Sequence, residues 1–412
     1  MIRGGTLITH FASTAMPLIV APARPTQRLA YLSSYPPRQC GIATFTRDLK
    51  TAIDTATKQP GLVVAMNDSA KRYAYPNEVA LQIERNDRAS YSRTARRLAQ
   101  MPIDLINVQH EYGLFGGEWG DYLLDFYKTA RQPIVTTLHS VLPGPNQALC
   151  EVTRALADNS AQVIVLAKAA IDILTHDYGI ARNKLRLIPH GIPTVPMNNT
   201  LRCMTKTKLG FAGRTVLSTF GLISPNKGLE FAVNALPDVV KAHPDALYLI
   251  IGQTHPGVRA SEGEAYRSRL QKLVHDLGLN QHVAFVDQYL ALPQLIEYLV
   301  ASDLYIVPYQ NPTQIVSGTL AYAMGCGRAV ISTPFIHARE ALANGNGVLV
   351  PFNDSPSMGH AITNLLDHPS ARAEIEQNAY AASRTWIWPA VAKQYTTLFE
   401  EITQYALSTA TV

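Results

Sequence analysis

Short runs of aliphatic and β-branched residues alternate along this chain with longer stretches in which apolar residues recur every three or four positions. Unbroken apolar runs suit strands buried on both faces, and the helical periods between them suit the crossovers that parallel strands require. In the first half the runs are Arg28–Ser33, Leu62–Met66, Leu105–Gln109, Ile134–Leu138, Val163–Leu166 and Lys184–Ile188. The pattern pauses in the turn-prone residues Thr194–Asn199. It restarts with Thr215–Phe220, Leu247–Ile251, Val283–Val286, Leu304–Val307, Ala329–Ser332 and Gly347–Val350. Two such series predict an α/β protein of two Rossmann-like, doubly wound parallel-sheet domains, joined near residues 195–210.

A last helical pattern follows the second series, with Val391, Tyr395, Leu398, Phe399 and Ile402 on one stripe. We expect an extension over residues 1–27, a first domain over 28–197, a second over 205–387, and a C-terminal helix, 388–412, packing back on the first. The first residues hold two apolar patches broken by His10 and Pro17, which reads as a flexible extension rather than a signal peptide. No stretch reaches the roughly 18 apolar residues that a spanning helix needs.

Length agrees with two domains, since 412 residues exceed what one core normally supports. The net charge of +5 is a weak pointer to anionic substrates or a membrane surface. No basic run carries interleaved aromatics, which argues against nucleic acid. Arg85–Arg97 is the best basic amphipathic candidate and reads as a solvated helix face. The expectation is a cytoplasmic protein, with no more than weak peripheral contact at the inner membrane surface. Cys40, Cys150, Cys203 and Cys326 are scattered without a C-x-x-C pair, so reduced thiols are expected and a zinc site is not.

Ligands of doubly wound sheets sit beyond the carboxyl ends of the strands. His110, His139 and His190-Gly191 each follow a predicted strand, while Gly41 and Lys227-Gly228 open helices after the first strand of each series. In Tyr309–Gly327, Ser317 suits a helix N-cap, leaving the amides of Gly318, Thr319 and Leu320 aimed outward at a phosphate. The plain alternative is a serine-capped turn. In Phe220–Gly228, Lys227 can neutralise a diphosphate as a point charge; the plain alternative is a solvated lysine. Pro36–Phe45 places Gly41 at the entry of a helix marked by Ile42, Phe45, Leu49 and Ile53. In Val108–Gly117, His110-Glu111 and the glycines suit a sugar-holding loop, against the plain reading of a satisfied core histidine. It is no H-E-x-x-H zinc motif, because Leu114 stands where the second histidine belongs.

Taken in order, these segments resemble glycosyltransferase family 4, retaining enzymes of the GT-B architecture, from about Tyr31 to the C-terminus. The resemblance implies two Rossmann-like domains facing across a cleft, a nucleotide-sugar held mainly by the second and an acceptor mainly by the first. It implies neither a metal nor a cofactor. By this resemblance His110 and Lys227 are the catalytic pair. The donor diphosphate meets Gly41, Lys227, Ser317, Gly318 and Thr319. Gln314, Tyr322 and Glu111 meet the donor's sugar or nucleotide, and His139 and His190 lie on the acceptor side. The implied reaction moves a hexosyl group, mannosyl or glucosyl, from a GDP- or UDP-sugar to a hydroxyl of a glycan, a lipid-linked glycan or a small molecule.

Three positions depart from the family pattern. The usual pair of glutamates eight residues apart is replaced by Gln314 and Tyr322, and a usual arginine by Leu222. These departures leave room for a sugar phosphorylase, a sugar-nucleotide epimerase, or a non-catalytic binder on the same fold.

Overall fold

The computed structural model describes residue 1, residues 27–68 and residues 73–410. The predicted N-terminal extension falls on residues 2–26, outside the described residues.

The first sheet contains β1 (Leu29–Ser33), β2 (Leu62–Asn67), β3 (Val79–Glu84), β4 (Leu105–His110), β5 (Ile134–Leu138), β6 (Gln162–Val165) and β7 (Leu185–Leu187). The second contains β8 (Thr215–Phe220), β9 (Ala246–Ile251), β10 (Val283–Val286), β11 (Leu304–Val307), β12 (Ala329–Ser332) and β13 (Val348–Leu349). All pairings are parallel, in the orders β3-β2-β1-β4-β5-β6-β7 and β10-β9-β8-β11-β12-β13. The chain order reverses between β1 and β4 in one sheet and between β8 and β11 in the other. At such a point neighbouring crossovers leave in opposite directions and open a crevice for ligand.

Strand β3 has no counterpart in the sequence reading. Its pattern, Val79-Ala80-Leu81-Gln82-Ile83-Glu84, buries only alternate residues, because it is the edge strand of the first sheet. An alternating strand lacks the continuous apolar run by which the others are found. The 195–210 segment also differs from expectation. It contains a helix, Asn199–Lys208, capped by the Asn198 side chain on the Leu201 amide. This helix belongs with the second sheet: Arg202 and Lys206 pair with Asp303, and Arg202 with Glu376. The basic segment near Arg85 becomes helical only at Arg88, where Asp87 caps it.

Two chain segments cross between the domains. Ile192 pairs with Ile387, through hydrogen bonds to Trp386 and Trp388 of 2.9 Å each. A side chain at Gly191 would lie 2.1 Å from the Trp388 ring, so this crossing requires glycine. The C-terminal helix, Trp388–Ala410, then returns to the first sheet. Val391, Tyr395, Leu398 and Phe399 pack there with Phe45, Leu49 and Ile53 in one buried cluster, and the Tyr395 hydroxyl meets Thr137 Oγ1 at 3.0 Å. Among the described residues no helix is long and apolar enough to cross a membrane.

Candidate active site at the facing switch points

Both switch points open toward one interdomain cleft. On the second domain, β8 leads into a turn, Pro225–Lys227, and β11 into a loop ending at the helix Gly318–Gly325. Gly228 closes the turn at φ +58°, where an added Cβ would meet the Pro308 carbonyl at 2.2 Å, so only glycine lets the two loops touch. Lys227 Nζ sits 3.7 Å from the centre of the Tyr309 ring, and the Tyr309 hydroxyl meets Thr319 Oγ1 at 2.6 Å. Tyr309 thus ties the lysine to the helix start. Among the described residues Lys227 forms no salt bridge, and its charge together with burial lowers the His255 pKa.

The turn at 317–320 is more constrained than the sequence suggests. Ser317 Oγ accepts from the Leu320 amide at 3.3 Å, which confirms the cap but removes Leu320 from the free donors. The Ser317 amide donates to His337 Nδ1 at 2.9 Å. Ser317 is therefore corrected as a source of a diphosphate-binding amide, because that N–H is already engaged. Among the described residues the amides of Gly318 and Thr319 have no hydrogen-bond partner.

His337 is a site residue that the sequence reading missed. Accepting from Ser317 requires an unprotonated Nδ1, and burial together with the nearby His190 pushes its pKa down to about 4. No motif marks it, since it lies in an unremarkable short helix, Ile336–Ala341. Tyr309 was also missed, although its place just after the β11 strand end was a usable signal.

On the first domain, β1 leads to the helix Gly41–Thr57, which has no side-chain cap at Cys40. Among the described residues its first amides, at Gly41, Ile42 and Ala43, make no hydrogen bond, and a Cβ at Gly41 would meet nothing within 4 Å. His110 ends β4 and is wholly buried, its ring stacked on Phe115 at 5.5 Å and met edge-on by Tyr112 at 4.9 Å. Among the described residues neither ring nitrogen has a hydrogen-bond partner. Burial lowers its pKa to about 3, so it is a neutral imidazole with one donor and one acceptor unused.

His139 Nε2 pairs with Gln109 Oε1 at 2.8 Å, and its pKa lies well below the usual histidine range through burial and the neighbouring His190 and His110. His190 Nδ1 meets the Gly191 carbonyl at 2.8 Å, and burial holds its pKa at about 4. Phe45 packs edge-on against both of these rings. A Cβ at Gly318 would lie 2.9 Å from His190 Nε2. His190, expected on the acceptor side, thus also lies against the donor-side turn at Gly318. Glu111 accepts from Ser140 Oγ at 2.5 Å within the first domain, and burial raises its pKa.

The two departures from the family glutamates are placed differently. Gln314 Nε2 donates to the Val316 carbonyl at 2.9 Å and braces its own loop. Tyr322 is buried on the Gly318 helix between Phe220 and His190. Leu222 lies partly exposed just beyond β8. A separate cavity of about 360 Å³ lies further toward the crossing segments, lined by His190, His337, Glu340, Trp386 and Gln394 among others. Beside it the Glu340 carboxylate accepts from the amides of Lys168 and Ala169 at 2.8 and 3.0 Å, capping a first-domain helix from the second domain.

Two facing doubly wound sheets, with an unpaired cation and free helix amides at one switch point and neutral histidines at the other, define a glycosyl-transferring enzyme of the GT-B fold. Two family models match the chain. Glycosyltransferase Family 4 covers residues 41–195 and Glycosyl transferases group 1 covers residues 214–368. The chain belongs to glycosyltransferase family 4, and the activity of its class is hexosyl transfer from a nucleotide sugar.

Among similar proteins, a GDP-mannose-dependent monoacylated alpha-(1-6)-phosphatidylinositol monomannoside mannosyltransferase of Corynebacterium glutamicum is 24% identical over 405 residues. That match covers 90% of this chain and 97% of that one. A D-inositol 3-phosphate glycosyltransferase of Corynebacterium efficiens is 24% identical, covering 74% of this chain and 73% of that one. The solved structure of Anabaena Alr3699/HepE in complex with UDP superposes with a TM-score of 0.74 at 19% identity. It covers 91% of this chain and all of that one.

Proposed function

We propose that the cleft binds the diphosphate of a nucleotide sugar between Lys227 Nζ and the amides of Gly318 and Thr319, and transfers the hexosyl group with retention at the anomeric carbon. The observation that carries this reading is the Tyr309 bridge, which holds an unpaired ammonium beside two unpaired amides. Both groups favour negative charge, and both are fixed before any ligand arrives. Cleavage of the bond between the anomeric carbon and the phosphate oxygen leaves an extra negative charge on the diphosphate. Lys227 and the two amides stabilise that charge, without calling on a metal ion. The acceptor hydroxyl attacks from the face the diphosphate leaves, and the departing phosphate oxygen takes its proton. The Gly41 helix start offers further amides from the opposite domain.

His110 orients the transferred sugar. A buried imidazole without a partner costs roughly 1–3 kcal/mol, part of which a sugar hydroxyl recovers by bonding to one of the two ring nitrogens. The transferred group is mannosyl or glucosyl and the donor a GDP- or UDP-sugar, in keeping with the mannosyltransferase named among the relatives. The acceptor is a hydroxyl on a glycan, a lipid-linked glycan or a small molecule, approached from the His139 side.

A panel of GDP- and UDP-hexoses tests this reading. The matching donor stabilises the protein against heat, by about 2.7 kcal/mol at a hundred times its Kd. It then yields nucleoside diphosphate and a product whose anomeric configuration, read by NMR, matches the donor's. An inverted product, or sugar phosphate formed with inorganic phosphate as co-substrate, rejects the reading.

A further inference from the structure

The helix Gly41–Thr57 carries Thr44, Arg47 and Asp48, three and four residues apart and hence on one face. That face reaches across the cleft. Thr44 Oγ1 lies 3.0 Å from the hydroxyl of Tyr289, just after β10, and the Tyr322 hydroxyl faces the Asp48 carboxylate. Asp48 is only 9% exposed. Its Oδ1 accepts from Arg47 Nε and Nη2 at 2.9 and 2.8 Å, whereas among the described residues its buried Oδ2 meets no donor in good hydrogen-bond geometry. An orphaned carboxylate oxygen is costly unless something donates to it. Burial raises the Asp48 pKa, and Arg47 and the Tyr322 hydroxyl oppose that rise.

Tyr322 stands four residues after Gly318, one turn into the same helix and on the side of it where Gly318 lies. The Phe220 ring closes its other side at 6.2 Å between centroids. A nucleoside diphosphate held by its phosphates at Gly318 and Thr319 carries its ribose one ester linkage further on, over this first helical turn. The side chain that the second domain offers there is a phenol. The carboxylate beside it comes from the first domain.

We propose that Asp48 accepts the ribose hydroxyls of the donor across the cleft, with Tyr322 alongside, so that one domain reads the ribose while the other holds the diphosphate. This rests on the donor reading of the Lys227–Gly318 site. A carboxylate suits the task because hydroxyls donate and both its oxygens accept, with more lone pairs than Arg47 and the Tyr322 hydroxyl engage. A nucleotide bound in this way bridges the domains, and its ribose contact exists only when the cleft is closed.

Calorimetric titration of the whole protein with UDP and GDP, and with their 2′,3′-dideoxy counterparts, tests this. For whichever base binds, the wild type should prefer the ribose form about tenfold, a single charge-assisted contact being worth that much. Asp48→Ala should bring the two forms within about twofold by weakening the ribose form alone. Asp48→Asn, nearly isosteric, should give an intermediate ratio and is read in its place if the alanine variant does not fold. Because the ratio compares two ligands on one variant, a general loss of folded protein cannot imitate the result. An unchanged ratio in both variants overturns the role of Asp48 and leaves the diphosphate site standing. If the wild type binds neither UDP nor GDP, the donor reading fails and this inference fails with it.

Discussion

The two walls of the cleft meet ligand with opposite chemistry. The second domain presents charge: Lys227 forms no salt bridge among the described residues, and the Gly318 and Thr319 amides point outward without partners. The first domain presents buried rings that stay uncharged, with His110 held near pKa 3 and His190 near 4. A half-buried cation needs little support beyond its Tyr309 platform, whereas a neutral imidazole at physiological pH must be kept from water. The contrast separates the labours of transfer. In the proposed reaction one wall stabilises the charge that departs, and the other grips the neutral sugar that stays.

Lys227→Ala should break the charged wall with the largest effect. Losing one preorganised charge contact costs roughly 3 kcal/mol, on the order of a hundredfold in turnover, while unfolding free energy changes by less than about 1 kcal/mol. Steady-state rates beside a thermal melt check both halves, and turnover equal to wild type defeats the assignment. Next comes His110→Phe, which preserves the stack on Phe115 but removes both ring nitrogens. Transfer should fall by about 2 kcal/mol, roughly thirtyfold, with the Kd for nucleoside diphosphate unchanged. A variant that instead loses nucleotide binding would place His110 on the wrong wall.

The neutrality of the histidines has its own signature. His110, His190 and His337 have folded pKa values below the unfolded value, so their contribution to stability is complete above about pH 6.5. It is lost as pH falls toward about 4, where the unfolded chain takes up protons that the fold refuses. Each should add about 1.4 kcal/mol per pH unit to the slope between pH 6 and 4, measured by urea unfolding. His110→Phe should flatten that slope by one proton; an unaltered slope would mean that His110 is charged in the fold. The smallest effect is expected at Glu340→Ala, which uncaps the Lys168 helix across the domain boundary. A cap is worth about 1 kcal/mol, read as a lower melting point with turnover reduced less than for Lys227→Ala.

Most of the fold was legible in the sequence because buried parallel strands are written as unbroken apolar runs, and all six strands of the second sheet announce themselves in this way. Strand β3 escaped because an edge strand alternates. The helix at Asn199 escaped because Thr194–Asn199 looks like a linker, and its partners Asp303 and Glu376 lie far along the chain. In the site, Lys227, Gly41 and Gly318 were visible because turns and helix starts leave local marks. His337 was not, since it matters only through a neighbour from a distant segment, the Ser317 amide. Ser317 shows the reverse error, a local cap whose own N–H is claimed from twenty residues away.

The most direct test of the account is a crystal structure of the protein with bound UDP or GDP. The account predicts the terminal phosphate within hydrogen-bond distance of Lys227 Nζ and of the Gly318 and Thr319 amides. A diphosphate seated in the cavity beside Glu340 and Gln394, with Lys227 left free, would contradict it.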